Sequence, residues 1–362
     1  MPVWKQDEIE RYLQSVLGAP VTVLGTAVLG ADRESRDVKG YGYGVPLRVD
    51  FRRDGGERQT VVLHTMTPGA FGHEHMADRA RDLLWEHQAF NRLPRHVRSL
   101  DVCGVQPDGR MISAGTIEEF CLVTEFVPGK SYSLDLERLR GGAGLSELDL
   151  SRADALCDFL VETHKVRSDN SGLYVRRLRE LVGHGECIMG ITDSYPGHPL
   201  APPCLLEKIE HLAVSWRWRL KGLSHRLSQV HGDFHPWNIL FRSGIDFSLL
   251  DRSRGEFGEP ADDVTSLTLN YLFFSLQSHG RLQGVFETLF LRFWQRYIEQ
   301  SADEEILRVA APFFAFRGLV MASPLWYPAL PDAVREKLLR FVTAVLEGEC
   351  FDPAKVNFYC GD

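Results

Sequence analysis

Ile9, Tyr12, Leu13, Val16 and Leu17 recur at the three- and four-residue steps of a helix and predict one over residues 7–17. Residues 21–29, 45–51 and 59–66 then run or alternate as strands do, with Arg48 and Asp50 set between apolar neighbours. The turn signal Asp54-Gly55-Gly56 makes an antiparallel arrangement the economical one. Leu83, Leu84, Phe90 and Leu93 share one helical face over residues 76–93, and Pro94 stops it. Residues 97–105 and 120–126 read as two further strands, the second running straight into Pro128-Gly129. Beyond Lys130 the period becomes helical: Leu156, Phe159, Leu160 and His164 define a helix over 151–166, and another fills 205–227. A short β segment interrupts at 229–250, and helices return from Asp262 onward with breaks at Gly280, Pro312, Pro324 and Pro328. There is no internal repeat and no low-complexity tract. The layout predicts a small β-rich lobe over residues 1–126, a hinge at 127–131 and a larger, mainly helical lobe over 132–362.

Composition narrows the class. A chain of 362 residues has room for about two domains. At 44% hydrophobic and 25% charged residues it is ordinary globular material, neither disordered, collagen-like nor a disulfide miniprotein. A formal charge of -8 argues against a general binder of nucleic acid or anionic membrane. The seven cysteines are odd in number and scattered, with no C-x-x-C pair. That speaks against a disulfide framework or structural zinc and for small buried thiols. Met1 to Glu8 carries no apolar signal core, and the apolar stretches 271–276 and 310–316 fall far short of the ~20 residues of a membrane span. The expectation is a soluble cytoplasmic protein.

The stretch richest in chemistry is Val230-His231-Gly232-Asp233-Phe234-His235-Pro236-Trp237-Asn238, followed by a short hairpin that ends at Asp251. Asp233 and Asn238 stand five residues apart, so one tight loop can present both, and the hairpin returns Asp251 beside Asn238. Two carboxylates and an amide are hard oxygen donors suited to Mg²⁺ rather than zinc, with one carboxylate spare to accept a hydroxyl proton. Phosphoryl transfer needs such a set, because its barrier is mainly charge and alignment.

His231-Gly232-Asp233 with Asn238 and Asp251 resembles the aminoglycoside phosphotransferase and choline kinase family, relatives of the protein kinases. The resemblance extends to the two-lobe order, to Glu125-Phe126-Val127-Pro128-Gly129 as hinge and to Gly258-Glu259-Pro260-Ala261-Asp262-Asp263. It implies a bilobal, protein-kinase-like α+β fold with a small antiparallel β-rich N-lobe. It implies transfer of the terminal phosphoryl group of ATP or GTP to a hydroxyl of a small metabolite or antibiotic, with Mg²⁺ and with neither nucleic acid nor membrane as partner. Asp233 would be the catalytic base or orienting group, Asn238 and Asp251 the metal ligands, and Asp263 the anchor of the catalytic loop, which His231 and His235 would help to shape. Glu125 and Val127 of the hinge, with His64 and Glu86, would bind nucleotide.

The pattern also departs from that family. His64 occupies the slot where kinase-like third strands carry lysine, with Glu86 as the helix glutamate. A free imidazole is only about one quarter protonated at pH 7. Lys39 and Arg48 are possible substitutes, and no lysine lies between Lys39 and Lys130. A catalytically weak nucleotide- or metabolite-binding pseudokinase is therefore the alternative, and nucleotidyl transfer a third possibility. Gly25, Gly30 and the run Gly40-Tyr41-Gly42-Tyr43-Gly44 could approach phosphates or simply form a hairpin. Arg252 and Arg254 could meet an acidic substrate or phosphate, but are expected to pair with Glu256 and Glu259, and His73-Glu74-His75 to be a solvated helix cap rather than a metal site. Trp216 and Trp218 are expected to pack under the catalytic loop, while Tyr271, Trp326 and Tyr327 are read as core first and as acceptor-pocket wall second.

Overall fold

The computed structural model describes residues 4–29, 44, 46–69 and 72–361 and divides into two compact units, Met1–Thr124 and Glu125–Asp362. The first holds α1 (Gln6–Leu17), β1 (Val21–Val28), β2 (Leu47–Arg53), β3 (Arg58–Leu63), α2 (Met76–Phe90), β4 (Cys103–Val105) and β5 (Met111–Ser113). Strands β1, β2 and β3 form an antiparallel sheet in that order, with Val49 paired to Thr26 and Val61. The helical face of α1 buries Ile9, Tyr12 and Leu13 with Val21, Val23, Val49 and Phe51. Gly18, at φ 61°, ends the helix in the left-handed conformation that costs glycine least. Asp50 faces the other way and gathers Arg48, Arg58 and Thr60 at 2.6–3.1 Å.

Two predicted strands are corrected here. Of residues 97–105 only Cys103–Val105 is a strand, and it pairs with β5. Residues 120–126 form none: no strand of the described residues pairs with them, and Phe120, Leu122, Val123 and Phe126 lie exposed. Apolar patterning marks a strand only where a ladder partner is available.

The second unit contains β6 (Lys130–Ser131), α3 (Ser133–Arg140), α4 (Glu147–His164), α5 (Ser171–Gly183), α6 (Ile188–Asp193), α7 (Pro203–Leu220), β7 (Ser228–Gln229), β8 (Ile239–Phe241), β9 (Phe247–Leu249), β10 (Phe257–Gly258), α8 (Pro260–His279), α9 (Gly284–Ser301), α10 (Ile306–Val309), α11 (Ala311–Ala322), α12 (Asp332–Glu347) and α13 (Val356–Tyr359). A capping box of Ser146 and Asp149 starts α4 four residues before the predicted position. The predicted helix over 205–227 stops at Leu220, and a single 3₁₀ turn follows at Ser224–Arg226. The core is built around α8, which is buried from Pro260 to Leu276 except at Asp262 and packs against α3, α9 and α11.

Several side chains differ from expectation. Trp216 is buried and donates Nε1 to the Leu346 carbonyl at 2.8 Å, so it packs toward α12 rather than under the loop; Trp218 is exposed, with the Lys221 ammonium over its ring. Tyr271, by contrast, is in the core as first read, and hydrogen-bonds Tyr132 at 3.1 Å. His75 does cap α2, but His73 is buried against Asp82, 3.2 Å away, rather than solvated. Cys157, Cys187 and Cys360 are buried, whereas Cys121, Cys204 and Cys350 are exposed. Among the described residues no helix is long and apolar enough to cross a membrane.

Candidate active site

Residues 230–238 connect β7 to β8, and Asp263, in the first turn of α8, ties the loop down. Its Oδ2 and Oδ1 accept the backbone N–H groups of His231 and Gly232 at 2.8 and 2.7 Å. Nε2 of His164, whose Nδ1 meets the Tyr297 hydroxyl at 2.7 Å, lies 3.2 Å from the same carboxylate. Burial pushes the Asp263 carboxyl up, but the bond and charge of His164 and the loop N–H groups outweigh it and hold it below the usual range. Phe234 is fully buried and stacks on Phe159, which anchors the loop from below. Gly232 has φ 84°, and a Cβ there would sit 3.2 Å from the Cβ of Arg254.

The loop turns Asp233 and Asn238 toward each other. Asn238 Nδ2 donates to the Asp233 carbonyl at 3.1 Å and to its Oδ2 at 3.3 Å. His235 Nδ1 accepts the Trp237 N–H at 3.2 Å, so its proton belongs on Nε2, which faces Asp233 Oδ2 at 3.5 Å. The other carboxylate oxygen, Oδ1, is held in a close ion pair by Nη1 of Arg317, from α11. Nη2 of Arg317 donates to the Gly232 carbonyl and to Asp262 Oδ1, both at 2.9 Å. Burial would raise the Asp233 carboxyl, but the His235 contact and the charges of Arg317 and Arg254 keep it far below the ordinary carboxylate range. Asp262 moves the other way, pushed up by burial and by Asp263 against the pull of Arg317 and Arg254.

The β8–β9 ladder brings Asp251 back to this loop. Ile239 pairs with Leu249, and the Leu250 N–H continues the register to the Asn238 carbonyl at 2.9 Å. Asp251 follows at φ 54°, exposed and without a hydrogen bond or ion pair among the described residues. No three His, Cys, Asp or Glu side chains among them form a metal-binding group. The oxygen donors nonetheless fit a hard divalent cation. Asn238 turns its amide nitrogen to Asp233, and among the described residues neither its Oδ1 nor the Asp251 carboxylate accepts a hydrogen bond.

In the first unit, His64 is exposed one residue beyond β3, and Glu86 is half-buried on α2, which buries no residue fully. No hydrogen bond or ion pair joins the two among the described residues. Arg48 is engaged by Asp50. Gly25 lies within β1 beside a register shift, while Gly30, Lys39 and residues 40–43 of the glycine run lie outside the described residues. In the second unit Glu125 is exposed and Val127 half-buried, and neither belongs to a strand. Gly129 packs on β8, where a Cβ would come within 2.8 Å of Leu240 Cβ, and Lys130 and Ser131, predicted as hinge, pair with that strand.

The expected partners of Arg252 and Arg254 are corrected. Arg252 donates to the Val230 and Glu256 carbonyls at 2.8–3.0 Å. Arg254 reaches Cys187 Sγ at 3.1 Å and lies over the Phe316 ring. Glu259 belongs instead to Arg226, at 2.7 Å, inside a buried cluster with Tyr174 and Asp303. Sequence reasoning missed both Arg226 and Arg317. Arg317 is the one charged residue in the apolar run of α11, a signal that it must meet an acid.

Residues 48–300, more than half of the chain, match the phosphotransferase enzyme family. The chain belongs to that family. No curated protein matches. Among solved structures, a glucosamine kinase aligns at 19% identity over 65% of this chain and 59% of its own, so the alignment spans less than two thirds of that relative, with a TM-score of 0.35. An ethanolamine kinase of Plasmodium vivax aligns at 12% identity over 99% of this chain and 83% of its own, with a TM-score of 0.35. An amicoumacin kinase in complex with AMP-PNP and Ca²⁺ aligns at 11% identity over 98% and 94%, with a TM-score of 0.39. At those scores the family assignment rests on the sequence match. The fold is α+β, with small antiparallel sheets and a mainly helical second unit.

Proposed function

We propose that the protein transfers the terminal phosphoryl group of ATP, or of GTP, to a hydroxyl group of a small molecule. The observation that carries the reading is the convergence of Asp233 and Asn238 in one loop that Asp263 holds by two backbone N–H groups. Arg317 occupies Asp233 Oδ1, so Oδ2, with only the longer contacts to Asn238 and His235, is the oxygen that accepts the acceptor's O–H. The acceptor oxygen bonds to phosphorus as the bond to the bridging oxygen breaks, the proton passes to Asp233, and the nucleoside diphosphate leaves. A carboxyl held this far down is a poor proton store, which suits late proton transfer and alignment of the hydroxyl.

Asn238 Oδ1 and Asp251 would hold Mg²⁺, which when bound neutralises charge on the transferred group. His231 and His235 shape the loop through their contacts with the Asp233 and Trp237 backbone N–H groups. We assign the first unit, with His64 and Glu86, to nucleotide binding, together with Glu125 and Val127; the rest of the second unit supplies catalysis and the acceptor site.

A pseudokinase is the second reading, favoured by the exposed His64 with no bond to Glu86. A thermal-shift titration with Mg²⁺ and ATP or GTP, followed by mass analysis of products from a panel of hydroxylated metabolites, separates the two. The kinase reading expects a nucleotide shift that Asp251→Ala removes and a product heavier by one phosphoryl group. A shift without product from any acceptor supports the pseudokinase, and no shift with either nucleotide overturns both.

A further inference from the structure

The three arginines around the catalytic loop are not equivalent. Arg317 is neutralised by Asp233 and Asp262, and the exposed Arg252 is satisfied by two backbone carbonyls. Arg254 is half-buried and has no carboxylate partner among the described residues. Among the described residues its Nη1 meets the Cys187 thiol, which burial keeps protonated, and its buried Nε has no hydrogen-bond partner. The fields of Asp233 and Asp262 reach this guanidinium, but neither carboxylate bonds it directly, and a half-buried guanidinium whose Nε lacks a partner still has donors to offer a ligand.

The position of Arg254 says what that ligand is. Its guanidinium carbon lies 4.7 Å from the centre of the Phe316 ring, and that of Arg317 lies 4.7 Å from the same centre, so one aromatic ring aligns both cations. Arg254 Cβ stands against Gly232, next to Asp233 in the chain. Its contacts come from Cys187 at the start of α6 and from α11, the helical side of the loop, rather than from the β8–β9 hairpin that carries Asp251.

We propose that Arg254 receives an anionic group of the acceptor, a carboxylate or a phosphate monoester, while the acceptor's hydroxyl meets Asp233. The acceptor is then a hydroxy acid or a phosphorylated alcohol, not a polycation. This inference rests on the kinase reading above. A guanidinium binds either anion through two parallel N–H bonds, each charge-assisted.

The test uses a matched three-carbon set on the full chain saturated with Mg²⁺ and AMP-PNP, so that the triphosphate positions are already filled. Glycerate, glycerol 3-phosphate, glycerol and 3-amino-1,2-propanediol are titrated and followed by NMR. At least one of the two anions binds roughly 10- to 100-fold tighter than glycerol or the amine, the worth of one charge-assisted contact. Arg254→Met abolishes that preference, and Arg254→Lys keeps part of it. Equal or reversed preference in the wild type overturns the proposal whatever the variants do. If Arg254→Met instead weakens AMP-PNP as much as the anion, the guanidinium serves the triphosphate and the proposal also falls. Failure of AMP-PNP and Mg²⁺ to bind the wild type is a different result, which overturns the kinase reading itself.

Discussion

At the scale of single residues, the candidate site turns on how one carboxylate is held. Asp233→Asn keeps the shape and the Asn238 contact but removes the charge that accepts the hydroxyl proton. Turnover should fall on the order of 10²- to 10⁴-fold with the circular dichroism spectrum intact; a fall of less than about fivefold would refute the role. Arg317 acts through that residue rather than on the substrate. Replacing it with methionine strands Asp262 and Asp233 in low dielectric and should cost about 3–5 kcal/mol in chemical denaturation. Lysine, which keeps the charge but not the fork, should cost less. Asp233, Asn238 and Asp251 were legible because they stand within one short stretch and a hairpin, so spacing alone brings them close. Arg317 stands 84 residues from Asp233, and only tertiary packing pairs them. Arg254 was legible as a residue but not by its contacts, since Glu259 is claimed by Arg226 and the Arg254 guanidinium turns to Cys187 instead.

At the scale of elements, two glycines and one aspartate decide local geometry. Gly232→Ala forces a left-handed conformation on an L-residue and crowds Arg254, so it should cost about 1–2 kcal/mol and lower turnover through the loop. Gly129→Ala tests the packing of the segment before β6 on β8 in the same way, through the 2.8 Å approach to Leu240. In the first unit, Asp50 is drawn down to about 2 by Thr60, Arg58 and Arg48. A carboxyl lowered on folding adds stability above its unfolded value near 4, and that stability is lost as pH falls toward 2. Acid titration of the β-sheet signal should therefore show a loss between about pH 4 and pH 2 that Asp50→Asn flattens. The same scale explains what periodicity could and could not show. The helix α1 and the sheet β1–β2–β3 were legible because each has one face in a core. Residues 120–126 were misread because apolar side chains there lie exposed and no strand pairs with them, which the pattern alone does not reveal.

At the scale of the whole molecule, nearly all buried apolar side chains among the described residues fall into two clusters, one in each unit. The smaller contains Ile9, Tyr12, Leu13, Val21, Val23, Val49 and Phe51; the larger runs from Tyr132 to Cys360. A domain with its own core melts as its own cooperative unit. Calorimetry of the free protein should therefore resolve two transitions, and substitutions should sort between them. Val49→Ala, a cavity in the smaller core, should move only one transition. Leu267→Ala, a cavity at the centre of α8, should move only the other. Both variants shifting a single common transition would show that the two cores unfold as one.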